Sequence, residues 1–417
     1  MAKEILKMKS DENLKRCKRK IAGLKRASRF VPFKESSGFA RELETVLQEI
    51  KAGVDDPLTG VELIVAFFET DAGTFGRCDD SNGFIGDVYG IDAQKLFVEY
   101  ASRLTDKEKI VDILFELNQK DDYGVRDVLI DCANQYLPVS NIRAMISMFQ
   151  TCCNQANDVN NTRHWLRLIE SLARQIKDAA LFEKARLASW SELSTAACVD
   201  ISQVYLESGD TQRALSWVEK VPENDTFLLR ERNQLLIEIY RNLGDQDKLY
   251  TILHRNFRLY RSVDTLQELL DVIGKDKQYD VVEKEVNALM NQSKFNISDA
   301  EFLLSIGKID EAETYILSHA NQLNGDLYTG LIHLARGMEK ENHALVASIL
   351  YRALLTSILT RGYIKAYSYG IRYLMKLDRL STKISDWKGF DDHEAFVVQI
   401  KQEHGRKRRF WESYNSK

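Results

Sequence analysis

The sequence predicts an all-α protein in which helix hairpins stack into an α-solenoid, a superhelix. Three observations predict it. Only four prolines, Pro32, Pro57, Pro138 and Pro222, interrupt 417 residues, so helix breakers are scarce. The apolar share of 44% is that of a folded chain, while the length exceeds one compact core and calls for several domains or a repeat stack. From about residue 195 a Gly-centred repeat emerges, with a period in the low thirties that suits helix hairpins.

The repeat is carried by Tyr205, Gly209, Asp210 and Ala214, then by Tyr240, Gly244, Asp245 and Leu249. Leu270, Gly274 and Tyr279 echo it, as do Leu303, Gly307 and Ala312, with a weaker, shifted echo at Gly337. Successive glycines are 35, 30, 33 and 30 residues apart. A large apolar residue one turn before Gly packs inward, and Gly takes the left-handed conformation that ends the helix. Asp210 and Asp245 are placed to cap the helix that follows. This spacing resembles tetratricopeptide repeats, with Val221-Pro222 where such a repeat closes.

Four regions follow along the chain. Residues 1–92 form an N-terminal helical region with a Gly/Asp-rich loop. A basic amphipathic helix is expected over Lys3–Ala27, with Leu14, Cys17, Ile21 and Leu24 on one stripe, then a helix over Ala40–Ala52 stopped by Gly53. The loop at 71–92 resembles a calcium loop in composition but fails in register. Counting back from Gly83 puts Cys78 at the first ligand position, and from Gly86 puts Ser81 there, where an acid is required. No metal site is expected. Residues 93–194 lead into the repeats at 195–380, and 381–417 form a capping helix and a basic-aromatic tail. Phe390, Phe396, Phe410 and Trp411 are expected to dock that tail.

Six cysteines without CxxC spacing read as small apolar residues rather than a disulfide framework. No apolar leader follows the Lys-rich start, and no apolar run reaches bilayer-spanning length, so a cytoplasmic protein without membrane contact is expected. The formal charge of −4 is unevenly spread. Residues 1–34 carry +9 and residues 351–417 carry +7, leaving −20 for 35–350. Basic ends around an acidic middle point to an anionic partner or to charge contacts within the fold.

The candidate site follows from that charge. On a helix over Tyr363–Leu377, Lys365, Arg372 and Lys376 share a stripe bordered by Tyr369, opposite an apolar face of Ala366, Gly370, Tyr373, Leu374 and Leu377. Arg406, Lys407, Arg408 and Arg409 add four charges beside Phe410 and Trp411. Basic groups with exposed aromatics hold phosphates and stack bases; the alternative is a solvated face answering the acidic middle.

Catalytic patterns are sparse. No P-loop, GxGxxG, HExxH or GxSxG occurs, and the seven histidines do not cluster. Arg336 and His343 stand at a spacing some helical ribonucleases use, with Gly337 where a polar residue is usual. No catalytic residue and no cofactor is expected.

Residues 339–417 carry the most specific pattern: an apolar run from Glu339 to Leu359, then Lys365–Leu374, Asp386-Trp387, Gly389-Phe390, His393–Phe396, His404-Gly405-Arg406-Lys407 and Phe410-Trp411. These resemble a bacterial family of unknown function built as a helical body with a closing HGRK…FW signature. Arg29–Val31, Asp79–Gly83 and Asp122–Arg126 fit the same pattern. Some relatives carry a SWIM-type zinc finger, whose Cys-x-Cys…Cys-x-His set is absent here. The resemblance implies a helical fold. The expected role is a non-enzymatic interaction scaffold binding a protein or peptide on its repeat surface, with nucleic acid as the alternative partner and a ribonuclease-like enzyme third.

Overall fold

The computed structural model describes residues 2–121, 124–155, 158–190 and 192–416. Asp122 and Tyr123, two of the residues that carried the family resemblance, lie outside the described residues. The described chain is helical throughout, with one isolated bridge between Val31 and Cys78 and no strand. It divides into two compact units, 1–235 and 236–417.

In the first unit the order is α1 (Ala2–Arg26), α2 (Phe33–Gly53), α3 (Pro57–Phe68), α4 (Asp71–Phe75), α5 (Phe84–Asp87), α6 (Gln94–Arg103), α7 (Lys107–Asn118), α8 (Asp127–Ile130), α9 (Val139–Gln155), α10 (Val159–Gln175), α11 (Ala179–Ser189), α12 (Thr195–Glu207) and α13 (Thr211–Val218). The predicted stripe of α1 faces inward: Cys17 and Ile21 are buried and Leu14 and Leu24 pack beside them. Its outer charges are partly answered within the fold, Lys20 by Glu49 at 2.7 Å and Lys25 by Glu69 at 2.5 Å. The second helix begins at Phe33 rather than Ala40, because Pro32 precedes it in an extended conformation suited to a helix start. α3 starts on the Asp56 cap, which accepts from Thr59 N, with Pro57 in its first turn. It lies so close to α6 that a Cβ on Gly60 would meet the Tyr100 ring at 2.3 Å. The Tyr100 hydroxyl donates to the Val54 carbonyl at 2.8 Å.

The Gly/Asp-rich loop uses its acids as turn acceptors. Asp80 takes the backbone N–H groups of Ile85 and Gly86 at 2.9 and 2.8 Å, and Asp79 takes Ser81. Asp71 is buried and paired side by side with Arg126, two bonds of 2.8 Å each. The other arm of that guanidinium donates to the Leu117 and Lys120 carbonyls, so this buried pair has its donors used.

The second unit runs from within α14 (Leu229–Leu243) through α15 (Gln246–Leu259), α16 (Val263–Ile273), α17 (Gln278–Met290), α18 (Ile297–Ser305), α19 (Ile309–Ser318), α20 (Tyr328–Lys340), α21 (Ala344–Arg361), α22 (Tyr367–Ser381), α23 (His393–His404) and α24 (Arg408–Asn415). α15 packs on α16, α18 on α19, α20 on α21 and α21 on α22, and α17, α18 and α19 also pack on α19, α20 and α21 respectively. Packing between alternate helices is how one hairpin stacks on the next.

The turns that close the hairpins share one geometry. Gly209, Gly244 and Gly307 have φ of 91°, 71° and 78°. In each, the residue after Gly donates back to the helix, Asp210 to Tyr205, Asp245 to Tyr240 and Lys308 to Leu303. The Gly N–H bonds a carbonyl one residue further on. This is the double bond of a Schellman end. Asp210 and Asp245 then cap α13 and α15, as predicted. The fifth turn is corrected: Gly337 lies inside α20, where its missing Cβ admits the Leu304 side chain. The left-handed residue is Asn342, φ 68°, with His343 N bonded to Met338 O. The same turn recurs at Lys177, φ 57°, between α10 and α11, with Asp178 capping. Gly274 departs from the pattern; its φ of 99° and ψ of 138° lead into a 3-10 turn at Lys275–Lys277.

One expectation about apolar length is also corrected. α21 is, by length and composition, apolar enough to cross a membrane, with mean hydropathy 1.4. Its apolar character is matched by burial, 72% of the helix lying inside the fold, as for a core helix covered on most sides.

Candidate interaction surface

The structure brings together most of the basic residues picked from sequence, but not all. A 3-10 turn, Ile364–Ala366, separates α21 from α22, so Lys365 lies on that turn and the stripe expected over Tyr363–Leu377 starts later. Gly370, Leu374 and Leu377 face inward as expected. α24 docks on α22 through Phe410, which is fully buried with its ring edge-on to Tyr367, centroids 5.6 Å apart. A Cβ on Gly370 would stand 3.0 Å from Phe410 and press on that ring, so glycine here lets the two helices approach closely. Tyr414 donates to Asp378 further along the same helix.

This docking carries Arg406–Arg409 to the start of α22. Lys407 is half-buried, and its ammonium reaches the end of α21, 3.4 Å from where a Gly362 Cβ would stand. A cation there answers the negative end of the helix. Arg406, Arg408 and Arg409 stay exposed, as do Lys365 and Arg372, and none of the five has a carboxylate at ion-pair distance among the described residues. The Arg372 guanidinium lies 4.5 Å above the Tyr369 ring.

Lys376 belongs to a different arrangement. It bonds Glu339 on α20, which also accepts from the Tyr351 hydroxyl at 2.8 Å. Burial pushes the Glu339 carboxyl up, but the Lys376 and Tyr351 hydrogen bonds outweigh it and hold the group below its ordinary value. Lys376 therefore ties α20 to α22 and leaves the basic surface to the other cations. The pairing of Glu339 with Lys376 has no signature in the sequence, since a contact across 37 residues follows only from the stacking.

The docked tail explains the residues of the closing motif. Trp411 Nε1 donates to the His404 carbonyl at 3.0 Å, and Gly405 leaves room for the Lys401 carbonyl, which a Cβ would approach at 2.6 Å. Phe396 and Trp411 are buried with Phe410, whereas Phe390 is only half-buried. His393 bonds Asp378 at 2.8 Å.

A second surface feature was not visible in the sequence. Among the described residues the turns within hairpins carry few large exposed apolar side chains, the exception being Tyr279, 73% exposed, just past the turn at 274–277. The links between hairpins, at the opposite edge, carry such side chains repeatedly. In the first unit these are Val159, Trp190 and Phe227; in the second, Leu259 and Val263, then Leu327 and Tyr328, then Tyr363 and Ile364. Tyr328 is 64% exposed and Ile364 54%. Helical periodicity cannot flag them, because they lie where the period is broken.

Arg336 and His343 are not brought together. His343, before α21, bonds Glu313, which also accepts from Lys388 at 2.9 Å. Arg336 lies in α20 near Tyr351 and Tyr373, whose hydroxyls burial pushes up against the opposing pull of that guanidinium. Among the described residues no three His, Cys, Asp or Glu side chains converge in a metal-holding group.

Over residues 7–413 the sequence matches a family described as "Family of unknown function (DUF6880)". No curated protein matches it. Among solved structures the chain is similar to one described as "Circular tandem repeat protein with novel repeat topology and enhanced subunit contact surfaces", at 14% identity over 96% of this chain and 90% of that one. The TM-score is 0.14, too low to support any argument from superposition.

Proposed function

The chain belongs to the DUF6880 family, whose function is unknown, so its role has to be read from its own surface: we propose that it is a non-enzymatic interaction scaffold that holds a protein or peptide partner along the link edge of its hairpins. The observation that carries this reading is the asymmetry between the two edges. Large apolar side chains exposed singly are ordinary on any protein, but a row repeated from link to link on one edge is what an interaction surface uses. Helix-hairpin stacks offer extended surfaces of this kind. A cytoplasmic location and a protein partner are part of the proposal.

Affinity capture from the native host tests it, run in parallel with the intact chain and with the variant Leu327→Glu, Tyr328→Glu, Tyr363→Glu. All three side chains are more than half exposed, so the variant should keep its melting temperature. The expected result is a stoichiometric protein partner held by the intact chain and lost from the variant. A partner retained by the variant, or none at all, contradicts the proposal.

A second reading rests on the unpaired cations Lys365, Arg372, Arg406, Arg408 and Arg409 beside exposed Tyr363 and Tyr369. Such a surface also suits nucleic acid, whose binding weakens steeply with salt through counterion release. Gel shifts at two salt concentrations separate the readings: retention unchanged in Lys365→Glu with Arg372→Glu removes nucleic acid from consideration.

A further inference from the structure

α21 carries a charged side chain that the fold does not neutralise. Arg352 is 7% exposed and sits near the middle of this apolar helix. Its guanidinium lies between two aromatic rings, 4.5 Å from the centroids of both Trp387 and Phe396. Nη1 donates to the Asp391 carbonyl at 2.7 Å. Nε and Nη2 are shielded from solvent and have no hydrogen-bond partner. Burial pushes the group down to about 10, against the opposing pull of the Asp391 and Asp392 carboxylates, neither of which reaches ion-pair distance.

A buried cation with two idle donors is a costly arrangement unless something answers it. Those two donors are the side of a guanidinium that meets both oxygens of one carboxylate. Arg352 also lines a slot of about 850 Å³ that runs along α21. The floor is the Ala353, Thr356 and Thr360 face of the helix, one wall is the turn at 320–326, and Phe390 and Gln399 form the other. The turn fits against α21 only because residue 325 is glycine, since a Cβ there would stand 2.2 Å from the Ala353 carbonyl. Small side chains on the floor leave width for a peptide, and the exposed pairs Leu327–Tyr328 and Tyr363–Ile364 follow the wall and the floor in the chain.

We propose that this slot is a binding site for a peptide segment bearing a carboxylate, with the idle fork of Arg352, rotated within its aromatic sandwich, as the anchor for that carboxylate. The inference rests on the scaffold reading and names the chemistry its partner presents. Asp326 and Asp391 line the slot too: Asp326 already accepts from Ser357 and pairs with Arg361 at 3.5 Å, while Asp391 meets Arg352 only through its backbone carbonyl, so the Nε and Nη2 side of Arg352 is left without a carboxylate.

The test uses the full chain and two fluorescein-labelled nonapeptide pools, randomised over Ala, Ser, Thr and Leu, with a fixed central Glu or a fixed central Gln. Fluorescence anisotropy should show the Glu pool binding about tenfold or more tightly than the Gln pool. Arg352→Gln should abolish the difference. Thr356→Trp, which fills the slot and keeps the guanidinium, should weaken the Glu pool by about as much, with unchanged melting showing that the fold is intact. Equal binding of the two pools, no binding of the Glu pool, or undiminished binding by Thr356→Trp overturns the site. If the native partner is captured equally by Thr356→Trp, the scaffold reading stands and this slot falls.

Discussion

Glu285 shows how single residues hold this fold. It is 1% exposed on α17 and bonds Arg258 at 2.8 Å and Arg261 at 3.1 Å, while Arg261 also reaches Asp299 on α18 at 3.1 Å. Burial pushes the Glu285 carboxyl up, yet the two arginines outweigh it and leave the group below its ordinary value of 4.5. A carboxyl depressed on folding stabilises fully above its unfolded value, and that contribution disappears as pH falls through the folded value. Glu285→Gln should therefore destabilise by about 2 kcal/mol near neutral pH, because half-exposed Arg258 loses its partner while Arg261 keeps only Asp299. The loss should shrink as pH is lowered from 5 toward 3, read by denaturant melts at each pH. A constant difference across that range would show that the carboxylate's charge is not what holds the site. Nothing in the sequence singles out Glu285. It reads as one acid among 62, and its partners sit 24 and 27 residues away, joined only by the hairpin stack.

At the scale of the helix and its turn, legibility depended on glycine. Gly209, Gly244 and Gly307 could be read because glycine is the residue that takes a positive φ without strain. Lys177 and Asn342 make the same turn with a side chain, so the pattern lapsed at one and was displaced to Gly337 at the other. Those two positions carry a conformational penalty that glycine relieves. Lys177→Gly and Asn342→Gly should leave stability unchanged or raise it by up to about 1 kcal/mol, whereas Gly244→Ala should lower it by about 1 kcal/mol. Thermal melts check the sign, and destabilisation by both glycine substitutions would mean that the turns are held by side-chain contacts instead. The apolar faces of α1 and α22 were legible because burial there follows the helical period. The 3-10 turn that displaced Lys365 was not, since Ile364–Ala366 carries neither Gly nor Pro.

For each unit as a whole, composition gave the helical class and the uneven charge, while the geometry decides which charges are spent. Lys20, Lys25 and Lys376 are paired within the fold, and the cations around the start of α22 are not. The tail is integral to the second unit, because Phe396, Phe410 and Trp411 are buried in it. Burial of each ring contributes about 2–3 kcal/mol, so removing residues 386–417 should lower the melting temperature and promote aggregation through the bared face of α22. A truncated chain that melts unchanged and stays monomeric would contradict that packing. In the proposed role the link edge, not the turn edge, meets the partner. Amide hydrogen exchange on the captured complex and on the free chain tests it most directly. Slowed exchange is expected across 319–328 and 362–369, with the turns at 306–310 and 341–345 unchanged. Protection confined to those turns, with the links unaffected, would contradict it.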